Sequence, residues 1–100
     1  MQEERDRDDE LRLLAQLHER DHTALTEVDR CHRAWLLLAM RRIAADQALA
    51  EDAVQEAFLS LWAHPPEPRP DASLKAWLLV AARHALIRRW RRDTRGRADV

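Results

Sequence analysis

Asp52, Gln55 and Glu56 lie three and four residues apart in a helix-compatible run, so they share one helix face, and Leu59 projects among them. An apolar side chain ringed by carboxylates and an amide has the chemistry of a small docking surface. The leucine supplies area to bury, and the carboxylates accept hydrogen bonds from a partner's guanidinium groups. The same pattern also reads as an ordinary exposed leucine on a solvated helix. A second group is cationic: Arg83, Arg88, Arg89, Arg91, Arg92, Arg95 and Arg97 crowd the end of the chain. Arginines along a helix end pair with phosphates and release counterions when they do. The alternative is a solvated helix end. Between the two groups runs His64-Pro65-Pro66-Glu67-Pro68-Arg69-Pro70-Asp71. Its prolines lack the backbone donor and hold φ near one value, so the segment is a stiff, extended loop. It has the rigidity to wall a pocket for an unstacked base, or to serve as a plain connector.

Catalytic constellations do not stand out. There is no Ser-His-Asp set and no glycine-rich phosphate loop, and the pair Asp52 and Glu56 is expected on an open helix face without a cleft. The reading is a protein that is not an enzyme and takes no cofactor. His18 and His22 are spaced i, i+4, with Cys31-His32 further on, but Asp21 and Thr23 break the helix between them and no C-x-x-C pair exists, so no metal site is expected. Cys31 is expected as a small, semi-buried side chain.

The elements that must hold these residues are helical. Of 100 residues 46% are hydrophobic and 35% charged, with one glycine, no tyrosine, and an abundance of alanine, leucine, glutamate and arginine. Leu11, Leu14 and Leu17 mark a first helix from about Asp9 to Arg20, after a flexible acidic lead over residues 1–8. A second helix, from about Thr23 to Ala44, carries the core stripe Leu25, Val28, His32, Trp35, Leu36, Ala39 and Ile43, widened by Leu38 and Met40. Asp46 caps a third helix, from about Gln47 to Ala63, whose apolar face is Ala50, Val54, Ala57, Phe58 and Leu61. Ser73 caps a fourth, to about Arg92, apolar almost all round in its first half and so expected to lie between the others, with Trp77 in the core. Residues 93–100 are expected as a loose tail. The fold class is all-α, a compact bundle of about four helices. No run approaches a membrane span, the charged start is no secretory signal, and the single cysteine fits a reducing, cytoplasmic setting. The formal net charge of -1 hides an acidic start and a basic end, the pattern of a protein that touches a polyanion locally.

Two runs carry a family resemblance. Ala48-Leu49-Ala50-Glu51-Asp52-Ala53-Val54-Gln55-Glu56-Ala57-Phe58-Leu59-Ser60-Leu61-Trp62 resembles the polymerase-binding helix in region 2 of bacterial extracytoplasmic-function sigma factors. Ser73-Leu74-Lys75-Ala76-Trp77-Leu78-Leu79-Val80-Ala81-Ala82-Arg83-His84 resembles the helix with which that family reads the promoter minus-ten element. The resemblance spans residues 9–92 and includes the order of the helices. It implies that Asp52, Gln55, Glu56 and Leu59 contact the coiled coil of the beta-prime subunit of core RNA polymerase. It implies that the loop from His64 to Ala72, with Arg69, captures a flipped base of the minus-ten non-template strand. Ser73, Lys75, Arg83, His84, Arg88, Arg91 and Arg92 would then face the DNA. An anti-sigma factor is a further possible partner; a membrane is not.

The chain departs from the family pattern in three ways. His84 stands where many members have asparagine, and Arg88 where many have aspartate. The chain also stops just after this region, with no second helix-turn-helix domain. The expectation is therefore either an excised domain that helps open promoters, or a one-domain sigma-like module that binds polymerase or a regulator without initiating transcription.

Overall fold

Four helices arise where capping groups and apolar stripes coincide. In the computed structural model, which describes the backbone of residues 2–98 and the side chains of residues 7–94, they are α1 (Gln2–His18), α2 (His22–Ile43), α3 (Gln47–Ala63) and α4 (Leu74–Ala98). The described residues contain no strand. The all-α bundle expected from composition is the fold observed.

The starts of α2, α3 and α4 each have a side chain that accepts from a free backbone amide. Asp21 accepts from the Thr23 amide at 3.0 Å and opens α2, and Asp46 accepts from the amides of Ala48 and Leu49 and opens α3. The Asp21 carboxyl is held below its usual range, first by the Thr23 hydroxyl and then by the Thr23 amide. At α4 the Ala76 amide donates to Ser73 Oγ at 3.1 Å. Glu10 of α1 adds a second cap, its Oε1 accepting from the Leu74 amide at 2.5 Å. A carboxylate at a helix N-terminus also meets the positive end of the helix dipole. Glu10 therefore ties the first helix to the last.

Helix α1 starts at Gln2, where the sequence alone puts a loose lead up to residue 8. Those residues lack apolar periodicity, but acidic side chains in a first turn favour helix. Helix α4 continues to Ala98, past the expected end at Arg92. Residues 99 and 100, the end of the expected loose tail, lie outside the described residues.

The core is one cluster. Leu13, Leu14 and Leu17 enter from α1; Ala24, Val28, Leu36 and Met40 from α2; Ala50, Ala53, Val54, Ala57, Phe58 and Leu61 from α3; Leu74, Leu78, Ala82, Ala85 and Leu86 from α4. The apolar face expected of α3 is buried throughout. Helix α3 packs against α2 and, most extensively, against α4. Alanines on both of those helices let their axes approach closely.

Four core assignments change. Ile43 is 56% exposed, because α2 ends there and its side chain stands past the last layer of the bundle. With Leu49, Ile87 and Trp90 it lines a surface groove of about 400 Å³. Leu38, expected to widen the stripe, is also exposed. Cys31 is exposed rather than semi-buried. Helix α4 is not wrapped on all sides: Val80 and Ile87 are exposed and Trp77 is half-buried at the edge of the core. Among the described residues no other element covers the outer face of this helix.

Leu78 is fully buried and Val80, two residues on, is not. Leu78→Ala is expected to lower the unfolding free energy by about 2–5 kcal/mol, through lost transfer energy and a residual cavity. Val80→Ala is expected to stay within about 0.5 kcal/mol of the parent. Urea unfolding followed by circular dichroism measures both.

Candidate docking and nucleic-acid interfaces

Helix α3 buries its alanine-rich face and so turns Asp52, Gln55, Glu56 and Leu59 outward, as one ridge. Leu59 is 58% exposed and the Asp52 side chain 61%. The ridge is not bare, however. Arg88 Nη2 donates to Glu56 Oε2 at 2.9 Å, and Arg89 reaches Glu56 Oε1 at 3.8 Å and Asp52 Oδ2 at 3.6 Å. On the other flank Arg33 of α2 donates to Gln55 Oε1 at 3.1 Å. Arg33 is itself held by a two-pronged contact to Asp29, at 2.8 and 2.6 Å, and its guanidinium lies 5.0 Å from the Phe58 ring centroid. The hydrogen bond from Arg33 depresses the Asp29 carboxyl below its usual range. The ridge is thus an acidic strip flanked by arginines on both sides, with Leu59 exposed on the same face one turn beyond Gln55 and Glu56. Arg89 and Arg33 escape a reading of one helix at a time, because their ridge contacts cross between helices; only the i, i+4 spacing of Asp29 and Arg33 was visible.

The outer face of α4 makes the second surface. Ser73, Ala76, Trp77, Val80 and His84 line one shallow groove. Two of the expected strand-facing residues, Ser73 and His84, thereby lie along the same groove. Arg83, Arg91 and Arg92 are exposed. Lys75 lies elsewhere: its Nζ sits 5.1 Å from the Trp35 ring centroid on α2. Arg88 also lies elsewhere, on Glu56.

The proline-bearing loop, residues 64–73, is anchored at both ends. At its start, Trp62 is gripped by residues of the α1–α2 turn. The Arg20 guanidinium lies 3.9 Å from the Trp62 ring centroid and donates to the Trp62 carbonyl, while His22 stacks on the ring at 4.3 Å. Arg20 reaches this position with φ of 63°, where glycine is the usual residue. The bonds Arg20 N–H to Leu17 C=O and Asp21 N–H to Gln16 C=O, both 3.0 Å, make this a Schellman end to α1. Nothing in the sequence marks an arginine for that role. His18 Nε2 contacts the Pro66 carbonyl at 3.0 Å. Further on, two local bonds turn the loop, Arg69 N–H to Glu67 C=O and Ala72 N–H to Arg69 C=O, both 2.9 Å. His64 and Arg69 are exposed. Beside the loop's end opens a cleft of about 830 Å³, lined among others by Glu10, Arg30, His32, Asp71, Ser73 and Lys75.

The histidines are occupied separately, His18 by the loop and His22 by Trp62. Among the described residues no group of three or more His, Cys, Asp or Glu is placed to hold a metal ion. Nor is any described helix long and apolar enough to cross a membrane.

The acidic ridge and the arginine-bearing helix thus present their charged groups on the surface of one small helical bundle. Residues 29–96 match the family model of sigma-70 region 2, more than half of the chain, and the chain belongs to that family. The role of this region is in polymerase binding and promoter recognition, and the family is one of non-enzymatic transcription factors. No curated protein and no solved structure matches the chain.

His32, in the cleft, gives a pH signature. Its Nδ1 accepts from Trp35 Nε1–H at 2.9 Å. Burial is the main cause that pushes its pKa below 6.5; Lys75 adds to the shift and Glu10 opposes it. The folded state thus favours neutral His32, and the unfolded state binds more protons just below pH 6.5. This contribution to stability is full above the unfolded value and is lost as pH falls through the lower, folded value. The depressed carboxyls Asp21 and Asp29 titrate below 3.8, outside this window. Urea unfolding at about pH 7.5 and about pH 5.5 is expected to show lower stability at the acid end, and His32→Gln is expected to reduce that difference.

Proposed function

We propose that this chain is a sigma region 2 of the extracytoplasmic-function type, acting in the cytoplasm. It docks on the beta-prime coiled coil of core RNA polymerase through Asp52, Gln55, Glu56 and Leu59. The observation that carries this reading is the outward ridge of α3, an exposed leucine on the same face as two carboxylates already in contact with guanidinium groups. Docking sets the outer face of α4 and the loop against the minus-ten element. One base of the non-template strand leaves the stack toward the loop, with His64 and Arg69 beside it. The opened strand is held through Ser73, Arg83, His84, Arg91 and Arg92, with Lys75 at the margin near the cleft. Arg88, on Glu56, belongs to the ridge. No covalent chemistry takes part; phosphate contacts and base capture offset the cost of unpairing.

Glu56→Lys and Asp52→Lys each place a cation where the ridge needs an anion. Either is expected to weaken binding to core RNA polymerase by at least about thirtyfold in fluorescence anisotropy, with the helical signal in circular dichroism retained. Unchanged binding by both variants refutes the docking assignment.

A second reading is a sigma-like module that binds polymerase or an anti-sigma factor without initiating transcription. The position of Arg88 favours it, since that cation faces α3 instead of a strand. DNA binding separates the two. On the leading reading the chain binds a labelled minus-ten non-template oligonucleotide weakly, with affinity falling steeply with salt. Arg91→Ala then lowers the salt slope by about 0.7, one single-strand phosphate. Recovery of polymerase with no oligonucleotide binding selects the module.

A further inference from the structure

The ridge's two carboxylates already have guanidinium partners from within the chain. Arg88 and Arg89 are consecutive on α4, yet both side chains reach the same strip of α3. Arg89 is the rooted member: its side chain is half-buried and its Nε is buried without a hydrogen-bond partner among the described residues. Arg88 is the more exposed member. Its side chain is 57% exposed, and its contact to Glu56 at 2.9 Å is the shortest of the three. Two formal negative charges, Asp52 and Glu56, therefore face two formal positive charges. These internal pairs weaken the attraction that the two carboxylates offer a cationic partner.

We propose that Arg88 is an internal occupant of the docking ridge and sets its affinity by competing with the partner for Glu56. The inference rests on the ridge being the polymerase-docking surface. The partner chemistry it fits is guanidinium for guanidinium, an arginine of the partner taking the place of Arg88 on the Glu56 carboxylate while Leu59 is covered. An exposed pair is cheap to break, so the competition tunes binding without blocking it. Screening by salt weakens the internal pair and the external contact together, and the difference between the parent and a chain lacking Arg88 shrinks with ionic strength.

The test uses the full chain and purified core RNA polymerase, with dissociation constants from fluorescence anisotropy at low and high salt. Arg88→Ala is expected to bind about fivefold tighter than the parent at low salt, the scale of one exposed ion pair. Arg42→Ala removes the same charge from an exposed position on α2 and is expected to change binding by less than about twofold. Arg88→Gln, which keeps most of the side chain's bulk, is expected to follow Arg88→Ala, so a packing artefact in either variant is detected. Unchanged or weaker binding by both Arg88 variants, with binding still lost in Glu56→Lys, overturns the competition and leaves the docking surface standing. Equal tightening by Arg42→Ala also overturns it, because the effect is then one of net charge. If Glu56→Lys binds like the parent, or the parent does not bind, the docking assignment fails and the competition fails with it.

Discussion

The close seam between α3 and α4 is the constraint on which both surfaces depend. Ala50, Ala53 and Ala57 on one helix and Ala82 and Ala85 on the other are buried in a common core. Small side chains at a helix contact bring the axes together. That approach lets arginines of α4 reach carboxylates of α3, and it fixes the outward face of each helix at the same time. Bulkier residues in the seam would separate the ridge from its counter-ions and rotate the outer groove of α4 relative to the ridge.

Electrostatics then decides how the ridge behaves. An acidic strip alone on a small bundle would carry a local field attractive to any cation. With Arg33, itself paired with Asp29, on one flank and Arg88 and Arg89 on the other, each carboxylate of the strip has a cation beside it, and Leu59 stays exposed. These pairs are partly exposed and contribute little to stability individually.

A second constraint acts at the opposite end of α3. The left-handed Arg20, a conformation costly for a residue with a Cβ, directs both Arg20 and His22 onto Trp62. This grip, with His18 on the Pro66 carbonyl, sets where the stiff loop leaves the bundle. Glu10 at the Leu74 amide sets where it returns. Helix α1, which lies outside the matched region, thus positions a loop inside it.

Local signals sufficed for much of this protein. The bounds of α3, the caps Asp46 and Ser73, the buried stripe from Ala50 to Leu61, and the outward turn of Asp52 and Leu59 all follow from side-chain periodicity and backbone donors, which act over one or two turns. The family, too, was legible in two short runs. What the sequence could not show is which charged group meets which across helices. Arg88 and Lys75 read as members of one basic helix, yet one lies on Glu56 and the other over Trp35. The exposure of Ile43, the open outer face of α4 and the grip on Trp62 are likewise products of assembly. Periodicity assigns a residue to a face of its own helix, whereas its partner depends on the axial offset and rotation of a neighbouring helix, and those are set only when the whole core packs.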